Sequence, residues 1–403
     1  MTKRNILTIL SLMVLTVACA QRNPSGPSVA AASETVLRTG AERMEQYLPL
    51  LAGKRVALCG NQTSVVGKTH LVDTLLSRKV NLVKLFCSEH GFRGQAEAGA
   101  TVASGKDPLT GLPVVSLYGK NKKPTAEQLT GVEVILFDLQ DVGCRFYTYI
   151  STLHYVMEAA AENGVEVIVL DRPNPNGFYV DGPVLEPQFK SFVGMHPVPV
   201  VYGMTIGEYA RMINGEKWLA NGVQCDLEVV TLEGYTHETR YELPVAPSPN
   251  LQTPEAVFLY PSLCLFEGAN VSVGRGTDRP FEMYGAPGMR VGEYRFTPHA
   301  IPGVSENPPF KGQECRGYDL HDEAVSTLRK PGRLNLAYLL SAYENCPDKT
   351  NFFLKNNFFD KLAGTAVLRQ KIVAGATEEA IRASWKPALD NFKSLRAKYL
   401  LYE

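Results

Sequence analysis

The sequence predicts an α/β protein built on a mostly parallel sheet, and three observations lead there. Apolar runs without polar alternation recur at 56–59, 80–86, 134–137 and 165–170, as expected of strands covered on both faces. Stretches with helical spacing separate them. Each strand then runs into a loop crowded with Asn, Asp, Glu, His or Arg, and parallel strands carry all such loops to one edge of the sheet, the ligand edge of open α/β folds. The sheet is Rossmann-like, with a smaller α+β region after it.

Length and charge set the frame. A chain of 403 residues, 45% hydrophobic and 20% charged, buries a large core and is long enough for two domains. Lysine plus arginine equals aspartate plus glutamate at 41 each, so no global field draws in nucleic acid or an anionic membrane. Lys3 and Arg4, the apolar run 6–17 and the small residues around Cys19 form an export signal too short to span a membrane. Residues 15–19 resemble a lipobox that would make Cys19 a lipidated N-terminus; Ala18-Cys19-Ala20 also fits an ordinary cleavage site. Residues 20–35 read as a tether without a core pattern. The expectation is an exported bacterial protein, periplasmic or held at the outer membrane, touching membrane only through a lipid on Cys19. The cysteines beyond it show no paired spacing and read as buried small hydrophobes, and no His pair has zinc spacing, so neither metal nor cofactor is expected.

Taken in order, 54–59 is the first strand, Leu71, Val72, Leu75 and Leu76 mark a helix, and 80–87 is the second strand. Short strand 113–117 and strong strand 132–138 follow. A helix through Ile150, Leu153, Val156, Met157 and Ala160 ends at Asn163-Gly164, before strand 165–170. The run 198–202 reads as a further strand leading into a helix opened by the Thr205/Glu208 capping box, and 227–232 as an edge strand. Proline-rich 244–254 is the expected junction between an N-terminal domain at 36–250 and a C-terminal one at 251–403. Thr253, Pro254 and Glu255 start a helix. A dense stretch at 266–282 is followed by a Pro/Gly-rich connection to about residue 331. Ile381, Trp385, Leu389, Phe392, Leu395 and Tyr399 then line one helix face.

Familiar nucleotide motifs fail on spacing. Gly67-Lys68-Thr69 ends like a phosphate loop, but Gln62 stands where its first glycine is required. No G-x-G-x-x-G follows the first strand, and no G-x-S-x-G elbow surrounds Ser88. Carboxylates beside neutral polar groups and aromatics suit glycosidic cleavage, in which an acid protonates the leaving oxygen and a second carboxylate activates water or attacks carbon. Glu89 is the first choice for the acid. Asp138, Asp141, Glu267 and Glu282 compete for the second role, with Asp141 and Glu267 carried forward as catalytic candidates. The binding candidates are Asn61, His90 and Arg93 from the first two loops, Arg145, Tyr147, Arg172 and Asn174 from the next two, and Tyr202, Asn250, Asn270, Arg275 and Glu282 farther on. Tyr147, Tyr149, Tyr202, Phe281 and Tyr284 are candidate sugar-stacking walls.

The motifs at 88–94, 138–149, 171–175, 202–205 and 267–277 together resemble the NamZ (YbbC-like) family of exo-β-N-acetylmuramidases, over a span from about Gly53 to the C-terminus. The resemblance implies a Rossmann-like N-terminal domain, a smaller C-terminal domain and a cleft between them. It also implies release of β-linked N-acetylmuramic acid from the non-reducing end of peptidoglycan-derived saccharides, with Glu89 matching the acid of the family's E-H-G motif. The lactyl carboxylate of that sugar calls for an arginine, and its acetamido group is an alternative nucleophile to a second carboxylate. Two other classes stay open at this point: a wall-binding lipoprotein without catalysis, and an esterase or amidase acting on wall fragments.

Overall fold

The computed structural model describes residues 36–93, 104–322, 330 and 332–403. The export signal, Cys19, the tether and the Gly94 end of the Glu89 loop lie outside the described residues. From Val36 onward the chain forms one compact unit. Its sheet comprises β1 (Val56–Gly60), β4 (Leu82–Cys87), β5 (Gly105–Lys106), β6 (Pro113–Ser116), β7 (Val134–Asp138), β8 (Glu166–Leu170) and β9 (Leu227–Val230). A small hairpin of β2 (Val65–Val66) and β3 (Thr69–His70) stands apart. The strand order is β5-β6-β4-β1-β7-β8-β9, and every pairing is parallel except β5 with β6. The chain begins at the centre, moves out through β4 and β6, then returns to the other side of β1. That reversal opens a crevice beyond the carboxyl ends of β4, β1 and β7.

Alternate strand residues feed two cores. Val56, Leu58, Val134, Leu136, Ile168 and Leu170 pack on one face with helices α1 (Met44–Leu51) and α2 (Leu71–Ser77). Ala57, Cys59, Ile135, Phe137, Val167 and Val169 pack on the other with α3 (Ala126–Leu129), α4 (Tyr149–Asn163) and α5 (Ile206–Gly215). This two-faced burial is why the strands read as unbroken apolar runs. Gly164, at φ 65°, ends α4 in the left-handed conformation, and Thr205 caps α5 with the reciprocal Glu208 contact. All seven cysteines beyond Cys19 are buried and unpaired.

The second core continues without interruption into the C-terminal half. Tyr260, Phe266, Phe281, Tyr284, Leu339, Leu362 and Trp385 belong to it. Helix α6 (Pro254–Leu263) starts as its sequence requires, the Thr253 hydroxyl accepting from Ala256 N at 3.1 Å. Helices α7 (Leu336–Asn345), α8 (Phe358–Ala363), α9 (Val367–Val373) and α10 (Glu378–Arg396) complete this half among the described residues. In α10, Ile381, Trp385, Leu389 and Phe392 are buried, as their spacing predicts. None of the helices described is long and apolar enough to cross a membrane.

Two expectations fail. Residues 198–202 form no strand and make only isolated bridges, Val201 to Cys144 and to Asp181. Pro197 and Pro199 remove the amides a ladder needs, and burial alone made the run apolar. The connection at 283–320, in turn, holds an antiparallel sheet of β10 (Met283–Ala286), β11 (Tyr294–Phe296) and β12 (Cys315–Asp319), in the order β10-β12-β11. Its strands are short, and β10 and β12 carry Gly285 and Gly317 where their backbones meet, so no alternating apolar signal marks them.

Candidate active-site cleft

Glu89 sits one residue beyond Ser88, at the carboxyl edge of β4. The turn that presents it closes with Gly91 N donating to Ser88 O at 3.2 Å, with His90 and Gly91 both in the left-handed region at φ 73° and 77°. A non-glycine residue is held there at a cost, and such strain clusters at functional sites. His90 is buried and Glu89 half-buried. The Thr148 hydroxyl donates to Glu89 Oε2 at 3.2 Å. The Tyr118 hydroxyl also bonds this carboxylate; burial first, and then the Glu89 charge, raise the Tyr118 pKa, so the phenol keeps its proton.

The facing wall comes from the segment after α6. Arg275 Nε donates to Glu267 Oε1 at 2.5 Å, and Cys264 Sγ lies 3.4 Å from Oε2. Burial works against the Arg275 charge, but the Glu267 carboxylate more than offsets it and raises the arginine pKa. The Arg275 guanidinium also lies 5.0 Å from the Phe281 ring centre. Asn270 is stitched into place, its backbone N donating to Phe352 O at 2.7 Å and its side chain to Asn351 O. Glu89, Glu267, Asn270 and Arg275 thus line one open cleft of about 660 Å³, within the range of roughly 300–1,000 Å³ usual for ligand pockets. Tyr118, Phe146, Phe192, Tyr260, Phe310 and Phe358 supply its aromatic surface.

Comparison with known proteins joins the two walls to one family. Two family models, for the N-terminal and C-terminal parts of exo-β-N-acetylmuramidase NamZ, match residues 56–255 and 258–402. The chain belongs to the NamZ family. It is 41% identical over 415 residues to the peptidoglycan β-N-acetylmuramidase NamZ of Bacillus subtilis strain 168, covering 97% of both chains. Two DUF1343 family proteins of Bacteroides fragilis NCTC 9343 share its structure. One has a TM-score of 0.84 and 44% identity, the other 0.79 and 34%; each match covers 91% of this chain and 99% of the other.

Several residues singled out in the sequence lie beneath this NamZ-family cleft and not in it. Arg145 is wholly buried, donating to the carbonyls of Pro183, Val198 and Leu362. Arg172 grips Asp138 through both carboxylate oxygens, at 2.5 and 2.8 Å. Arg93 does the same to Asp107, at 2.9 Å on each side. None of the three offers its fork to a ligand. Asn61 bonds Tyr149 and Thr63, Asn174 bonds Met204 O and Asn176 N, and Asn250 supports the cleft loop through Val304 O. Gly143, at φ 75°, leaves room for Asn174, which a Cβ would meet at 2.3 Å. Glu282 is buried against Thr253 and His321. Tyr147, Tyr149, Tyr202, Phe281 and Tyr284 are core and form no stacking wall. Dense loops satisfy their own buried backbone first, so much of their polarity is structural. Tyr118 and Thr148 were missed, although Tyr118 follows β6 at the same sheet edge.

Asp141, buried and bonded to the Tyr202 hydroxyl and to Gly143 N at 2.8 Å, does not line the cleft either. Burial pushes its pKa up from 3.8 to about 6, against the pull of those donors. An unfolded Asp141 loses its proton near pH 3.8 while the folded one keeps it to about pH 6. Its contribution to stability is therefore highest below that window, falls across it and stays low above. The total is up to about 3 kcal/mol. Asp141→Asn should flatten the pH dependence of urea-unfolding free energy between pH 4 and 6; an unchanged slope would exclude this account.

Proposed function

We propose that this protein is an exo-acting glycoside hydrolase that releases β-linked N-acetylmuramic acid from the non-reducing end of peptidoglycan fragments. The supporting observation is a cleft holding Glu89 and Glu267 in a chain 41% identical to a peptidoglycan β-N-acetylmuramidase. Glu89 is the proton donor to the departing glycosidic oxygen. The Tyr118 and Thr148 hydroxyls aim it, and both stabilise the carboxylate left when the proton has gone. Glu267, held by Arg275, is the group for water or for the positive charge developing at the anomeric carbon; the acetamido group of the sugar is the alternative nucleophile. Arg275 is the one Lys or Arg among the described residues lining the cleft. With Nε on Glu267, its outer edge is the partner for the lactyl carboxylate.

The same reading makes the protein exported and lipid-anchored at Cys19. Its support is Lys3, Arg4, the apolar run 6–17 and the lipobox-like residues 15–19. Incubation with the disaccharide of N-acetylmuramic acid on N-acetylglucosamine should yield both free sugars in equal amounts, with one new reducing end per cleavage. Saturable binding without new reducing ends would reduce the protein to a wall-binding module and sink the proposal.

A further inference from the structure

Beyond the cleft lies a second, shallower groove of about 400 Å³, lined by Tyr343, Lys349, Thr350, Phe353, Leu354, Lys355, Asn357, Arg369 and Val373. Leu354 belongs to both cavities. The segment 353–358 is their common wall, with Leu354 and Phe358 on the cleft side and Phe353, Lys355 and Asn357 on the groove side. It is tied to the active-site segment by the Ala269–Phe353 bridge and by Leu354 N donating to Gly268 O at 3.0 Å. The groove is therefore fixed relative to Glu267.

Its charge is local and positive. Arg369 is matched by Asp360 at 2.8 and 2.7 Å, and Asp348 is engaged by Thr350 and Asn351. Lys349 lies over the Tyr343 ring at 5.1 Å and, like Lys355, has no carboxylate among its described contacts. Two aromatic rings beside two ammonium groups suit a sugar that carries an acid. In an exo-acting enzyme the substrate extends from the scissile bond in one direction only, so any cavity adjoining the cleft receives the leaving side. The first leaving residue of peptidoglycan is neutral N-acetylglucosamine. The next is a muramic acid, bearing a carboxylate on its lactyl group or on a peptide attached there.

We propose that the Tyr343–Lys349–Phe353–Lys355 groove is a distal subsite for the carboxylate-bearing second muramic acid of fragments longer than a disaccharide. The assignment rests on the exo-muramidase reading above. The test compares kcat/KM for release of the terminal N-acetylmuramic acid from the disaccharide and from three tetrasaccharides. These differ at the second muramic acid: free lactyl group, attached peptide, or lactyl group converted to a neutral amide. The full-length protein should prefer the charged tetrasaccharides over the disaccharide by about tenfold, the size of one charge-assisted contact, and lose the preference with the amide or at high salt. A gain confined to the peptide-bearing chain assigns the carboxylate to the peptide; a gain with the free lactyl chain assigns it to the sugar. Lys349→Ala combined with Lys355→Ala should erase the preference while disaccharide turnover stays intact. Equal rates for charged and amide substrates, or an equal loss on disaccharide and tetrasaccharide in the double variant, would overturn the subsite while leaving the activity standing. Failure to cleave any of these substrates would remove the activity and the subsite with it.

Discussion

Glu89→Gln should lower kcat for release of terminal N-acetylmuramic acid by about a thousandfold, within the 10²–10⁴ range of general acid catalysis. KM and the unfolding midpoint should barely move, because glutamine keeps the shape and still accepts from Thr148. The departing N-acetylglucosamine is a poor leaving group and needs the proton. An aryl glycoside leaves without one, so the variant should hydrolyse a nitrophenyl N-acetylmuramide far closer to the wild-type rate. Equal losses on both substrates would show that Glu89 does not serve as the acid. Tyr118→Phe removes a donor to the same carboxylate without removing the acid, so a smaller drop in kcat and a shifted pH profile are expected of it.

Arg172→Ala should cost about 3–5 kcal/mol of folding free energy, because it strands the buried Asp138 carboxylate at the end of β7. That is a large share of the roughly 5–15 kcal/mol available to a folded chain. Arg172→Lys keeps the charge but loses the two-pronged contact, and should fall between. Pairing Arg172→Met with Asp138→Leu should recover much of the loss, since no charge is then left unpaired. Neither residue lines the cleft, so the folded fraction of each variant should keep its kcat. A stable Arg172→Ala protein with impaired catalysis would instead move this pair into the substrate site.

The sheet was legible because both of its faces are covered: Val134-Ile135-Leu136-Phe137 is apolar throughout for that reason alone. The same logic misled at 198–202, where burial occurs without a ladder. The second sheet was invisible because β10 and β12 meet at glycines, which leave no side-chain pattern to read. In the site, Glu89, Glu267, Asn270 and Arg275 stood out as polar groups in glycine-rich turns. Arg93, Arg145 and Arg172 looked equivalent in sequence, yet each completes a contact that can be seen only in three dimensions. The cleft's aromatic lining, Phe192 and Phe358 among it, is chemically indistinguishable from core until its exposure is known.

Arg145 ties carbonyls at 183, 198 and 362 together, and one hydrophobic core runs from the sheet through Phe266 to Trp385. The acid on one bank and the Glu267–Arg275 pair on the other are thus set at their working separation when the chain folds, with no hinge to swing. Selection among wall fragments then falls to the rigid contour of the channel rather than to a closing movement, and a ligand that needs a wider gap is turned away instead of accommodated.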